Sequence, residues 1–242
     1  MTQALHLHTR TAYSLLKGSM SVETLVLTAK SLGYKQLALT DLNVMYGVPE
    51  FLRLCEKHEI KAIVGCELSL KLNGHKAQYT LLAKDYEGYK TLVKVSSFNN
   101  ANEDVFTALD LKDDSEHIIC ILHNLGGVFE EAIYNQSSDQ ILELALSLKS
   151  IFKQLYFGAS YQEDAYWKKQ NQFISELLSP LDIDSVAFSK VYYAKAEDEL
   201  LSAILVGIEK GINLQEASSL AEKYRYFLDV NEMNALYDQK QL

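Results

Sequence analysis

Apolar residues along the chain fall into two alternating rhythms. Short apolar runs are followed by longer stretches in which apolar residues return every three or four positions, the pattern of strands followed by amphipathic helices. The first run is Leu5-His6-Leu7-His8-Thr9. Ser21 then predicts a helix N-cap, with Glu23 and Thr24 in the first turn; Val22, Leu25, Val26, Ala29 and Leu32 repeat at helical spacing, and Gly33 closes the helix. Tyr34 to Thr40 is a second apolar run with Asp41 at its C-terminal end. Strand, helix and strand in so short a span make a βαβ unit with a right-handed crossover.

The alternation continues. The pattern predicts a helix over 47–58, strands over 62–70 and 78–83 paired through a turn at Asn73-Gly74, and a helix over 85–97. A strand follows at 117–122, a helix at 140–152, a strand at 154–160, a helix at 164–178 and a strand at 185–189. The last part, 197–210 and 213–223, is helical. The polar, Asp-rich stretch from Asn99 to Glu116 is expected to be a surface excursion with at most one helical turn, its acidic run a solvated face rather than a metal site. Such βα alternation predicts a parallel sheet with helices outside, as in a TIM-like barrel or a doubly wound fold, with the chemistry at the C-terminal strand ends.

Composition narrows the class without choosing the function. With 242 residues, 48% of them hydrophobic, the chain can bury a large core, and with Pro49 and Pro180 its only prolines it has no low-complexity linker. No cationic, apolar leader and no membrane-length apolar window are present, so a cytoplasmic location is expected. Cys55, Cys66 and Cys120 are too scattered for a zinc ribbon or a disulfide framework. A net charge of −9 argues against strong DNA binding by this chain, because phosphate contacts call for excess Lys and Arg.

The candidate chemistry starts at His6 and His8. Two histidines spaced two apart on a strand would project from one face and could hold a metal ion; two core histidines read equally well.

Several segments together carry a resemblance: His6-Leu7-His8-Thr9 with Tyr13 to Gly18, Leu39-Thr40-Asp41-Leu42-Asn43, Tyr46-Gly47, Ile63-Val64-Gly65-Cys66-Glu67 and Tyr79 to Asp85. They resemble the polymerase and histidinol phosphatase (PHP) domain, and within it the N-terminal domain of bacterial replicative DNA polymerase III alpha subunits. Glu197-Asp198, Leu201, Ala203-Ile204 and Gly207, then Tyr226-Phe227-Leu228 and Glu232-Met233, extend the likeness to nearly the whole chain. With the two-histidine strand at the start and no exonuclease inserted midway, the short DnaE-type form fits better than the PolC type. The resemblance implies a distorted (β/α)7 barrel over 1–210 and a helical segment, 211–242, leading toward a polymerase core.

Active PHP proteins hold a metal cluster at the strand ends. Carried over position by position, the resemblance assigns His6, His8 and Glu67 to metal-ligand positions, with Asp41 adjacent. At six further ligand positions the chain has Lys17, Leu42, Gln78, Asn124, Lys190 and Tyr192, none of them a usual metal ligand. His123, beside Asn124, is a candidate displaced ligand. Three donors cannot build a two-metal hydrolytic site, so the expectation is a degenerate site without catalytic residues or cofactor in this domain. Lys17 and Lys190 are expected either to sit beside Asp41 and Glu67, compensating the lost metal charge, or to point to solvent.

The function so implied is a structural and interaction module of a DNA-directed DNA polymerase. Its partners would be the polymerase core, the sliding clamp and other replisome proteins, and magnesium and DNA would be handled by the core. The alternative is an active phosphoesterase or proofreading 3'-5' exonuclease that uses zinc or manganese.

Overall fold

The computed structural model describes residues 4–123, 132, 135, 137–160, 165–221, 223–237 and 241. Strand β1 (His8–Thr9) leads through a tight loop to helix α1 (Val22–Ser31), which Ser21 caps by accepting from the Thr24 amide. Gly33 follows with φ +84, the left-handed conformation that ends a helix without strain. Next come β2 (Gln36–Leu39), α2 (Val48–Lys57), β3 (Lys61–Leu72), β4 (His75–Ala83) and α3 (Tyr86–Ala101). β5 (Ile118–His123), α4 (Ser138–Lys149), β6 (Gln154–Ala159) and α5 (Ala165–Leu178) continue the alternation. β7 (Ser185–Ala187), β8 (Lys190–Val191), α6 (Glu199–Lys210), α7 (Leu214–Leu220) and α8 (Val230–Leu236) complete it.

The sheet is a curled, distorted TIM-like barrel. Six strands pair in the order β2-β3-β4-β5-β6-β7, and β1 pairs with β8. β7 and β8 are successive pieces of one run broken at Phe188-Ser189. The first pairs with β6, from Phe157 with Ser185 to Ala159 with Ala187; the second pairs with β1, His8 with Lys190 and Thr9 with Val191. The Thr40 amide, just past β2, donates to the Thr9 carbonyl at 3.0 Å and carries the ring on from β1.

The sheet is parallel except around β4, where the hairpin expected at Asn73-Gly74 forms. β3 and β4 are antiparallel, and so are β4 and β5. For β3 and β4 the cause is local: Asn73 (φ 48) and Gly74 (φ 83) turn the chain back at once, so no crossover helix intervenes; β5 is antiparallel to β4 although α3 lies between them. The 99–116 excursion is also better packed than expected. It holds two 3-10 turns, Ala108–Leu111 and Ser115–His117, and buries Phe106, Ala108 and Leu111.

Two apolar layers hold the ring. The outer one lies between sheet and helices and includes Leu25, Phe51, Leu92, Ile141 and Ile174. The inner one is a plug of Leu82, Ile121 and Phe188. The plug needs two glycines: a Cβ on Gly65 would stand 2.6 Å from a Leu82 methyl, and one on Gly158 would stand 2.7 Å from the Phe188 ring. Toward the N-terminal strand ends, an apolar cavity of about 770 Å³ opens between Leu5, Leu7, Ile63, Ile119, Tyr156 and Val186. No helix among the described residues is long and apolar enough to cross a membrane.

Within the segment after 210, residues 225–237 pack on the barrel. Phe227, Leu228, Met233 and Tyr237 belong to the outer core, and the Arg225 carbonyl accepts from the Tyr192 amide at 2.8 Å. Here the chain after α7 comes back to seal the closing strands.

Candidate functional site

At the C-terminal strand ends the plug is capped by a buried polar layer: His8, Arg10, Glu67, Thr80, His123 and Lys190. Strand alternation places them. Glu67 and Thr80 are cross-strand partners on β3 and β4, and Thr80 pairs in turn with Ile121 of the plug, two residues before His123.

Glu67 is the centre of the layer. Its Oε2 accepts from Nε2 of His8 at 2.7 Å and from Nε and Nη2 of Arg10 at 3.0 and 2.6 Å. Burial alone would push the carboxyl up; Arg10 and His8 outweigh it and hold Glu67 well below the usual carboxylate range. His8 goes the other way. Burial lowers its pKa, Glu67 opposes this, and Arg10 and Lys190 add to the lowering. The ring is therefore neutral, a donor at Nε2 with its lone pair on Nδ1. The Arg10 guanidinium lies 4.6 Å from the centre of the Tyr192 ring, so the cation has an aromatic face on one side and a carboxylate on the other.

His123 lies 5.9 Å, ring centre to ring centre, from His8 and 5.1 Å from Phe188. Burial drives its pKa down to about 3, so it too is neutral. Its two ring nitrogens, His8 Nδ1, Glu67 Oε1 and Thr80 Oγ1 are buried without a hydrogen-bond partner.

The other candidate positions separate. β1 starts at His8, three residues later than the first apolar run suggests, so the alternation does not reach back to His6. The His6 ring packs on Phe227 and Tyr34 and donates from Nε2 to the Leu228 carbonyl at 3.0 Å. The pair that shares a face in this layer is His8 and Arg10. Asp41 organises the loop after β1: its carboxylate accepts from the Thr11 amide at 2.6 Å, the Thr11 hydroxyl at 2.8 Å and the Ser14 hydroxyl at 2.6 Å. Burial raises its pKa, against those three bonds.

Of the substituted positions, Lys190 and Tyr192 lie in or against the layer, and Lys190 is buried close enough to His8 and His123 to act on both. Lys17 does not fill a metal position. The turn at 14–18, with Leu16 at φ 60, sends its side chain outward to a two-oxygen contact with Glu209 of α6 at 2.6 and 2.7 Å. Leu42 bridges to Glu67 through backbone only, Gln78 pairs with Ser69 further along the β3–β4 hairpin, and Asn124 lies outside the described residues.

Arg10 is the residue that sequence reasoning missed. Its one signal was position: two residues after His8, just past the end of β1. The donors present do not fit the metal cluster that the PHP resemblance implies. The carboxylate is taken up by a guanidinium, a second buried cation faces both histidines, and among the described residues no three of His, Cys, Asp and Glu stand together as metal ligands.

Comparison with known proteins agrees with the fold. The family model for the PHP domain matches residues 6–162. The DNA polymerase III subunit alpha of Bacillus subtilis is 33% identical over 220 residues, 88% of this chain and 19% of that protein. The subunit of the same name from Treponema pallidum is 30% identical over 236 residues, 90% of this chain and 20% of the other. The chain thus spans about a fifth of the length of these curated relatives. A solved structure from Bifidobacterium adolescentis, assigned as a metal-dependent phosphoesterase, superposes with a TM-score of 0.54 at 11% identity, over 78% of this chain and 87% of that one.

Proposed function

The chain belongs to the PHP domain family, and on that footing we propose that it is the PHP module of a DNA polymerase III alpha-type protein, a structural and interaction unit without hydrolytic chemistry of its own. The observation that carries this is the engagement of Glu67 by Arg10 and His8. A hydrolytic PHP site needs its carboxylates and imidazoles as metal donors, and here the buried carboxylate is already neutralised by a side chain of the same layer.

In this reading the barrel braces the polymerase core and offers surface to replisome proteins, the sliding clamp among them. Nucleotide addition with magnesium, and the grip on DNA, belong to the core. The acidic balance of −9 supports that division. The setting is the cytoplasm.

The competing reading, a zinc- or manganese-dependent phosphoesterase or 3'-5' exonuclease, draws on the unpartnered nitrogens of His8 and His123. One assay separates the two. The purified chain is given manganese or zinc with p-nitrophenyl phosphate and with a primer carrying a mismatched 3' end. The expected turnover equals that of His8→Ala; metal-dependent hydrolysis that His8→Ala abolishes would establish the enzyme instead.

A further inference from the structure

The polar layer combines three features seldom found together. Two of its members, His8 in the strand that starts the barrel and Arg10 just past its end, stand two residues apart, and both end on one oxygen of Glu67. One of these two is a fixed cation. Around it, polar atoms are left over: Glu67 Oε1, His8 Nδ1 and the two nitrogens of His123, one an acceptor and one a donor, are buried with no hydrogen-bond partner. Buried polar atoms are rarely left in this state, and three of these side chains are of the kinds that bind zinc or manganese.

We propose that Arg10 stands where a metal ligand would, and that its guanidinium supplies to the buried Glu67 the positive charge a metal ion would supply. A guanidinium cannot lose its proton in a protein, so it cannot be a ligand, and its charge repels a divalent cation from the same few ångströms. Arg10 thereby fills a ligand position and supplies the charge as well. Removing the cation and placing an imidazole at the same position, two residues on from His8, leaves two histidines directed at Glu67 with His123 beside them. That set has the donor number and type of a zinc site. Lys190, the second cation of the layer, lies on the neighbouring strand opposite His8 and gives the guanidinium's repulsion a second source.

The inference rests on the non-hydrolytic reading above, and metal content tests it separately from activity. Wild-type protein and Arg10→His are dialysed against zinc or manganese, freed of excess and analysed for metal, with thermal melts recorded with and without the ion. The wild type is expected to retain no stoichiometric metal. Arg10→His is expected to take up about one equivalent and to melt higher with the ion than without it, because the ion binds only the folded chain. Arg10→His combined with Glu67→Gln should lose that uptake.

Stoichiometric metal in the wild type overturns the inference even if the protein hydrolyses nothing; so does a folded Arg10→His that takes up none. If Arg10→His folds in neither condition, Glu67→Gln in the otherwise native chain decides. A carboxylate neutralised by Arg10 loses stability on this change with no effect of added metal, whereas a metal-binding carboxylate loses bound metal.

Discussion

His6 and Leu228 join the two ends of the described chain: the imidazole Nε2 donates to the Leu228 carbonyl at 3.0 Å, and the Tyr34 hydroxyl donates to the same oxygen at 2.9 Å. The Phe227 ring closes the group, 4.4 Å from His6 and 5.4 Å from Tyr34, centre to centre. The barrel's first inward-running segment, its second strand and its C-terminal tail are thereby fastened at one point.

A chain ended at Gly211 should therefore fail to hold the fold. It loses the burial of Phe227, Leu228, Met233 and Tyr237 and leaves His6 and Tyr34 with two buried donors unmet. At roughly 2 kcal/mol per apolar side chain and 1–3 kcal/mol per orphaned donor, the loss is on the order of 10 kcal/mol, as large as the whole stability of most domains. Circular dichroism of the truncated chain should show no cooperative melt. A native-like melting temperature would place the domain boundary at 210 after all.

His6 should make the protein acid-labile. Burial lowers its pKa from 6.5 to about 4. A histidine whose folded pKa lies below its unfolded one stays neutral in the native state while the unfolded chain takes up a proton. Stability is then complete above pH 6.5 and falls as the pH drops from 6.5 toward 4, by roughly 3 kcal/mol for this one group. Denaturant midpoints across that window should slope downward with acid, and His6→Gln should reduce the slope by its one proton, leaving the share of His8 and His123, while lowering stability at neutral pH. An unchanged slope in His6→Gln would mean that the proton is taken up elsewhere.

Much of this architecture could be read from the residues, for reasons that are local. The cap at Ser21, the Gly33 stop and the Asn73-Gly74 turn act within a few residues of themselves, and each is where the pattern puts it. What is decided at a distance could not be read that way. The antiparallel pairing of β4 with β5 follows from which edges meet, and the return of 225–237 depends on its contacts with His6 and Tyr34. In the site, His8 and Glu67 stood out through the family resemblance. Arg10 did not, because an arginine in a polar loop looks solvated until the strand carrying Glu67, 57 residues on, folds against it. For the same reason His6 and His8 looked like a pair: their spacing is that of one strand face, but the strand starts only at His8.

The Arg10–Glu67 pair should behave as a buried ion pair in a mutant cycle. Arg10→Met strands the carboxylate and should cost about 3–5 kcal/mol; Glu67→Gln strands the guanidinium at similar cost. The double substitution should recover much of either loss, since both charges are then gone. Urea midpoints of the four proteins give the coupling, expected to exceed about 1 kcal/mol. Strictly additive losses would show that the two charges are solvated independently.

Asp41 provides a contrast between a loop anchor and a metal ligand. Three donors from Thr11 and Ser14 converge on its carboxylate, and Ser14 in turn accepts from the Leu42 amide through its hydroxyl at 2.9 Å. Asp41→Asn keeps an acceptor for the Thr11 amide and the Ser14 hydroxyl at Oδ1, and the Thr11 hydroxyl can turn to accept from the new amide. The expected cost is under about 1 kcal/mol. Asp41→Leu removes every acceptor and leaves the buried Thr11 amide unmet, at about 3 kcal/mol, with the 11–18 loop opening first. Amide exchange at Thr11 should then accelerate in Asp41→Leu and stay near wild type in Asp41→Asn. Equal acceleration in both would mean that the negative charge of Asp41, rather than its geometry as an acceptor, holds the loop.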